Sequence, residues 1–160
     1  MEILSNSSQY YFYMRKFIAL LKFQYYIDDV SIDFFKNLNL SFIFSKNTGR
    51  LKYIKSNGKI IATFRAHDGF LVLTKFGATI IKNLIEYPKL RVVIPNEISE
   101  FIAKGRNVFS KHVIEIDQEL RPESEVLIVD QTDKLVGIGK LIMSPVDVKK
   151  FKTGVAVKVR

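Results

Sequence analysis

The dipeptide Asn57-Gly58 constrains this chain more than any other feature. It separates two runs, 50–56 and 59–65, in which apolar and polar residues alternate. A two-residue type I′ turn needs positive φ at both central positions, which Asn and Gly tolerate best, so the pair predicts a tight β-hairpin. Counting back from the turn sets Ser56 opposite Lys59, Lys52 opposite Thr63 and Arg50 opposite Arg65. One face then reads Arg50, Lys52, Ile54, Ser56, Lys59, Ile61, Thr63 and Arg65. The other reads Leu51, Tyr53, Lys55, Ile60, Ala62 and Phe64, and is expected to face the core. Like charges directly opposite each other destabilise a ladder. An anion between Arg50 and Arg65, with phosphate the natural candidate, would relieve that; a solvated face with splayed side chains is the alternative.

The chain around the hairpin reads as mixed helix and sheet. Ser7 or Ser8 can cap a helix over about 9–26, where Phe12, Phe17, Leu20, Leu21 and Tyr25 recur near helical spacing. Asp29 or Ser31 can open a shorter helix running to Asn37. Residues 40–44 and 70–73 read as strands, and Thr74 caps a helix over about 75–86. Pro88 marks a break, taken as the boundary between two domains, 1–88 and 89–160. Beyond it the pattern predicts a strand at 90–94, a helix at 97–104 capped by Asn96 and ended by Gly105, then short strands with a helical turn near 146–151. The fold class expected is α+β.

Composition narrows the chemistry. The 160 residues contain no cysteine and only two histidines, His67 and His112. Disulfides, thiolate nucleophiles and thiolate-bound zinc are thereby excluded, and a histidine-rich metal site is not expected. The net charge of +9 points to an acidic partner, and its distribution is uneven: residues 46–90 carry nine basic side chains against two acidic ones. Arg15, Lys16 and Lys22 interrupt the apolar stretch from Tyr10 to Ile27, so no membrane span and no signal peptide are expected. The expectation is a soluble, cytoplasmic protein.

Two stretches resemble known domains. The order of an amphipathic segment (Ile98, Phe101, Ile102), the run Lys104-Gly105-Arg106-Asn107-Val108-Phe109, and strands ending in Val136-Gly137-Ile138-Gly139-Lys140 and Gly154-Val155-Ala156-Val157-Lys158-Val159 resembles a PUA domain. Such a domain is a small β-barrel that holds structured RNA. The segment Thr48-Gly49-Arg50-Leu51-Lys52, then Gly58-Lys59-Ile60-Ile61-Ala62-Thr63-Phe64-Arg65-Ala66-His67-Asp68-Gly69-Phe70-Leu71-Val72-Leu73-Thr74, with Gly77-Ala78 following, resembles the domain that precedes PUA in archaeosine tRNA-guanine transglycosylases. Together the resemblances cover roughly 46–160. Residues 1–45 match nothing familiar, and read as a fold-completing helical layer or a docking surface for a partner chain.

The resemblance implies an α/β pre-PUA domain at 1–88, a PUA-type barrel at 89–160, and a tRNA-binding role. In that family the PUA domain grips the acceptor stem and 3′ CCA end through the glycine-bearing loop after its first helix. The matching positions are Lys104, Gly105, Arg106, Asn107, Val108 and Lys111, while Arg50, Lys52, Lys59 and Arg65 would hold phosphates. In some archaea the enzyme is similar to a split pair, which implies a separate catalytic chain as partner. Many PUA domains carry Gly-Asp-x-Val before a central strand. Here Pro122-Glu123-Ser124-Glu125-Val126 stands in its place.

No catalytic apparatus is legible. His67 and Asp68, adjacent in an extended segment, are expected to point to opposite faces and not to form a dyad. In the resembling family this Asp-Gly is a turn, with the aspartate as cap and Gly69 at positive φ. Glu115/Asp117 and Asp130/Asp133 read as strand ends and turns, and there is no phosphate-binding glycine loop or metal-ligand spacing. A transglycosylase barrel of roughly 250 residues would not fit beside these domains. The reading is therefore a non-catalytic subunit with no cofactor. A ribosome-biogenesis adaptor and an RNA-modifying enzyme with an unrecognised site are the alternatives. The acidic residues between 115 and 133 are expected to keep RNA off that edge.

Overall fold

A computed structural model describes residues 1–4, 7–28 and 30–160. It divides into two compact units, Met1–Leu84 and Ile85–Arg160. The first holds a five-stranded antiparallel sheet in the order β1 to β5: β1 (Glu2–Ile3), β2 (Leu40–Phe44), β3 (Leu51–Ser56), β4 (Lys59–Phe64) and β5 (Leu71–Leu73). Three helices accompany it: α1 (Ser8–Tyr25), α2 (Ile32–Lys36) and α3 (Lys75–Lys82). Ser7 caps α1 by accepting the Tyr10 amide at 3.0 Å. Ser31 stands at the start of α2 without a side-chain cap, and Asp29 lies outside the described residues.

Residues 1–45, which resembled nothing, complete the core. From α1, Tyr10, Met14, Phe17, Ile18, Leu21 and Tyr25 are buried. Phe17 meets Phe35 of α2 at 5.1 Å between ring centroids, and Tyr10 meets Phe42 of β2 edge-on at 5.5 Å. Full burial of one such ring contributes about 1.5–3 kcal/mol. Gln24 then ties α1 to the sheet edge. Its Oε1 accepts the Leu71 amide at 2.7 Å and its Nε2 donates to the Leu71 carbonyl at 3.0 Å, so the side chain stands in for a sixth strand.

The Asn57-Gly58 turn forms with both φ angles positive, +47° and +79°. Ser56 pairs with Lys59 as the turn dictates, but the register slips two residues later. Lys55 faces Ile60 while Ile54 faces Ala62, leaving Ile61 as an extra residue, a β-bulge. The expected faces are therefore corrected. Ile54, Ser56, Ile61 and Ala62 are buried, whereas Ile60 is 37% exposed. Ser56 can occupy the core because its hydroxyl donates to the Leu38 carbonyl at 2.6 Å. Arg50 and Arg65 fall outside the paired residues and do not oppose each other; Arg50 instead reaches the Ala66 carbonyl at 3.5 Å.

The bulge fixes α3. The Thr74 amide donates to the Ile61 carbonyl at 3.0 Å, and its hydroxyl accepts the Gly77 amide at 3.0 Å, capping the helix. A Cβ at Gly77 would lie 1.9 Å from that same Ile61 oxygen, so only glycine lets the helix approach. The helix ends at Lys82, shorter than its apolar pattern suggested.

The second unit is a six-stranded sheet in the order β7-β11-β10-β9-β6-β8. Its strands are β6 (Arg91–Val93), β7 (Val108–Phe109), β8 (Glu115–Ile116), β9 (Glu125–Val129), β10 (Leu135–Leu141) and β11 (Val155–Val159). β6 and β9 run parallel; the remaining pairs are antiparallel. Every residue of β9 is buried, as expected for a strand covered on both faces. Gly139 admits Val157, whose Cγ1 would lie 2.5 Å from an added Cβ, and the register shifts between Leu135 and Gly137.

Two helices flank this sheet, α4 (Ser99–Ala103) and α5 (Pro145–Lys150). Asn96 does not cap α4 as expected. It starts a 3-10 turn, and its side chain accepts the Gln131 amide at 3.1 Å, linking two loops. Where the familiar glycine is missing, Glu123 itself takes φ +75°, at a cost of roughly 1–2 kcal/mol. The turn forms regardless, with the Glu123 amide donating to the Leu141 carbonyl at 2.8 Å.

The α+β class agrees with the sequence reading. Among the described residues, no helix is long and apolar enough to cross a membrane. Gly77→Ala should lower unfolding free energy by about 2 kcal/mol or more, because the added methyl meets backbone rather than a movable side chain. Gly49→Ala, with open space around its Cβ but φ +65°, should cost about 1 kcal/mol. Urea titrations of both variants would check the ranking, and equal losses would contradict the packing account.

Candidate nucleic-acid interface

A cleft of about 700 Å³ opens on the first unit. Its walls are the β2–β3 connection with the start of β3 (48–52) and the β4–β5 turn (64–69), and α1 contributes Tyr13 and Lys16. Three of the four hairpin cations line it: Arg50, Lys52 and Arg65. Lys59 does not. It sits at the hairpin turn, with its ammonium 5.3 Å from the Phe76 ring centroid. The like charges inferred from strand pairing thus come together, but around a cleft rather than across a ladder.

One carboxylate, Asp68, organises the β4–β5 turn. It accepts the Phe70 amide at 2.9 Å and lies 3.0 Å from Arg65 Nη2 and 3.1 Å from His67 Nε2. Gly69 takes φ +71°, as the turn requires. The extended geometry expected for 67–68 is corrected: residues 66–68 form a turn, which brings the two side chains onto one side. Burial pushes the Asp68 carboxyl up, but the Phe70 amide and the Arg65 and His67 charges outweigh it and hold it below the ordinary carboxylate range.

Arg65 is held from two sides. Its Nη2 meets Asp68, and its guanidinium carbon lies 5.3 Å from the Phe70 ring centroid. Its Nε is buried and has no hydrogen-bond partner among the described residues. Such an orphaned donor costs about 1–3 kcal/mol unless something from outside satisfies it.

Tyr13, Lys16 and His67 were missed as cleft residues. The first two stand three apart on one helix face, a spacing visible in the sequence, but nothing there shows which strand ends α1 covers. Among the described residues no group of three or more His, Asp or Glu side chains could hold a metal ion.

The second unit presents a separate set of cations. Gly105 ends α4 with φ +95°, its amide donating to the Ile102 carbonyl at 2.9 Å and the Arg106 amide to Phe101 at 3.2 Å. Lys104, Arg106 and Lys111 are exposed, whereas Val108 is fully buried and belongs to the core. Asn107 is exposed, but its Oδ1 accepts the Val159 amide at 3.0 Å and ties the loop to β11.

Of the seven carboxylates between 115 and 133, Asp117 and Glu125 are buried, Asp130 and Asp133 are half-buried, and Glu115, Glu119 and Glu123 are exposed. Asp117 is buried and accepts the Leu90 and Glu119 amides at 2.8 and 3.0 Å. Glu125 is buried against Arg160, and Asp133 meets the buried Arg91 at 3.2 Å.

Residues 90–160 match the family model of the PUA domain. That stretch is a PUA domain. Ahead of that domain, residues 18–88 match the patch-forming domain C2 of tRNA-guanine transglycosylase, so the recognisable stretch begins within α1 rather than near 46. Over 142 residues the chain is 39% identical to a tRNA-guanine(15) transglycosylase of Methanocaldococcus jannaschii, taking in 88% of this chain and 21% of that relative. Over 116 residues it is 43% identical to a protein of the same name from Thermococcus onnurineus, taking in 72% of this chain and 20% of the relative. It therefore spans about a fifth of the length of these curated relatives, the part that carries the C2 and PUA domains. A solved PUA domain protein from Thermoplasma acidophilum covers 100% of this chain, and 92% of its own length is matched, with a TM-score of 0.63 and 12% identity. At that identity the likeness is one of fold.

The Asp68 turn yields a signed pH dependence. A carboxyl whose folded-state pKa is depressed stabilises the fold above its unfolded pKa of about 4 and loses that contribution as pH falls through the folded value. Asp68→Asn keeps an acceptor for the Phe70 amide but removes the charge. Its melting temperature should fall below wild type at pH 6–7, and the gap should close below about pH 4. A gap that persists undiminished at pH 2.5 would show that the charge is not what Asp68 contributes.

Proposed function

We propose that this chain is a tRNA-binding, non-catalytic accessory module that presents tRNA to a separate guanine-exchanging catalytic chain. The observation that carries the reading is the succession of a C2 domain and a PUA domain in one chain, matching a tRNA-guanine(15) transglycosylase over 142 residues. The arrangement of cations supports it. Lys16, Arg50, Lys52 and Arg65 surround one cleft whose only carboxylate among its lining residues, Asp68, is already engaged. Such a surface suits phosphates, whose neutralisation releases counterions and makes binding salt-dependent.

In this reading Lys59 adds a phosphate contact at the hairpin turn. Lys104, Arg106 and Lys111 contact the acceptor stem, and Gly105 with Asn107 shapes the loop that meets the 3′ CCA end. Structured RNA is recognised largely through shape and single-stranded ends, which fits a small half-barrel with an exposed glycine turn.

Fluorescence anisotropy against a tRNA transcript at two salt concentrations tests this. Arg50→Glu with Lys16→Glu should weaken binding at least about tenfold at low salt and flatten the slope of affinity against salt. Arg106→Ala should reduce the difference between transcripts with and without CCA. Unchanged affinity and slope in the double variant would remove the cleft from the interface. A preference for rRNA fragments over tRNA would favour a ribosome-biogenesis adaptor.

A further inference from the structure

We infer that the cleft of the first unit is a site for one unstacked nucleotide, taking the base as well as the phosphate; this deepens, and rests on, the RNA-binding reading above. A surface that only followed an RNA backbone would need cations along a ridge or shallow groove. Here the cations rim a cavity of about 700 Å³, within the range of roughly 300–1,000 Å³ that small-molecule sites occupy. Its walls also include Tyr13, Leu51 and Phe64, an apolar set with no use to a phosphate alone.

The polar groups divide to match a nucleotide. Arg50, Lys16 and Lys52 are exposed cations on the rim, suited to phosphate oxygens. Arg65 offers a planar guanidinium, held in place by Asp68 and carrying a buried Nε with no partner among the described residues. Ser45 and Thr48 add hydroxyls that either donate to or accept from a base edge or a ribose. Aromatic rings and guanidinium planes are the surfaces on which unpaired RNA bases stack. A base against Tyr13 and Phe64, with its phosphate on Arg50 and Lys16, uses both halves of the cleft at once.

The site itself does not require a catalytic function. Its role would be to hold a nucleotide that has left the helical stack, so that neighbouring RNA stays open or bent. That role predicts binding of a free mononucleotide, whereas a generic basic patch binds any anion of equal charge equally well.

The test uses the full chain, isotopically labelled, observed by amide chemical shifts while uridine or guanosine 5′-monophosphate is added. Uridine, guanosine and inorganic phosphate are titrated separately. Saturable shifts confined to residues 13–16, 45–52 and 64–69 are expected, with the nucleotide bound at least about tenfold more tightly than phosphate or nucleoside. Lys16→Ala, on an exposed position of α1, should weaken nucleotide binding about three- to fivefold without altering the melting temperature. Tyr13→Leu keeps apolar volume but removes the ring, and should abolish the preference of nucleotide over phosphate.

Equal affinity for nucleotide and phosphate, or shifts scattered over both units, would overturn the proposal. The same preparations are then assayed with the tRNA transcript. Tight tRNA binding without nucleotide selectivity overturns the nucleotide site and leaves the RNA reading standing. Selective nucleotide binding without tRNA binding upholds the site and overturns the RNA reading.

Discussion

The carbonyl of Ile61 is the contact on which the first unit depends. Ile61 is the extra residue of the β3–β4 bulge, and its carbonyl faces the β5 side, where Thr74 follows the Ala62–Leu73 pair. Thr74 satisfies it with an amide and starts a helix in the same step, and Gly77 lets that helix descend until only an unsubstituted α-carbon fits. An unpaired buried carbonyl would cost about 1–3 kcal/mol, so the strand end and the helix cap stabilise each other. The alanine, threonine and glycine positions of the recognisable motif are thus geometric demands of one joint: Ala62 is the fully buried partner of Ile54, Thr74 the cap, Gly77 the clearance.

The bulge also decides where charge appears. An unbroken ladder would have stacked Arg50 across from Arg65 and left one flat, basic sheet face. The slipped register instead turns Ile54, Ser56, Ile61 and Ala62 inward and carries both arginines past the end of the paired strands. There the β4–β5 turn, held by Asp68 and Gly69, bends back towards the β2–β3 connection, and α1 supplies Lys16 and Tyr13 to the same rim. A cleft rather than a plane follows from a single inserted residue.

Much of this was legible in the sequence. Asn57-Gly58 fixed the turn, helical spacing over about 9–26 gave α1 to within a residue at each end, and the two resemblances identified the PUA domain and the domain before it. The bulge was not legible, because Ile60, Ile61 and Ala62 are consecutive apolar residues and alternation cannot say which one is extra. The His67-Asp68 geometry was missed for a related reason: side chains alternate in an extended segment, but these residues sit in a turn set by Gly69. The role of Gln24 had no local signal at all, since its partner, Leu71, is 47 residues away. Asn96 misled in the other direction, as a residue suited to capping that is spent on Gln131 instead.

Charge counting fails in the second unit for a reason that refines how its surface should be read. Residues 91–160 hold twelve basic and ten acidic side chains, nearly balanced. Yet several of those acids are engaged within the fold. Asp117 holds two backbone amides, Asp130 accepts from Thr132 and the Lys134 amide, Glu125 pairs with Arg160, and Asp133 meets an Arg91 that is only 2% exposed. A carboxylate paired with an arginine inside the fold adds little net charge to the surface, and a buried arginine offers no contact. Lys104, Arg106 and Lys111, exposed around the α4 terminus, therefore weigh more than their share of the formal charge. What a nucleic acid would meet on this unit is set by which charges lack an internal partner, not by the sum.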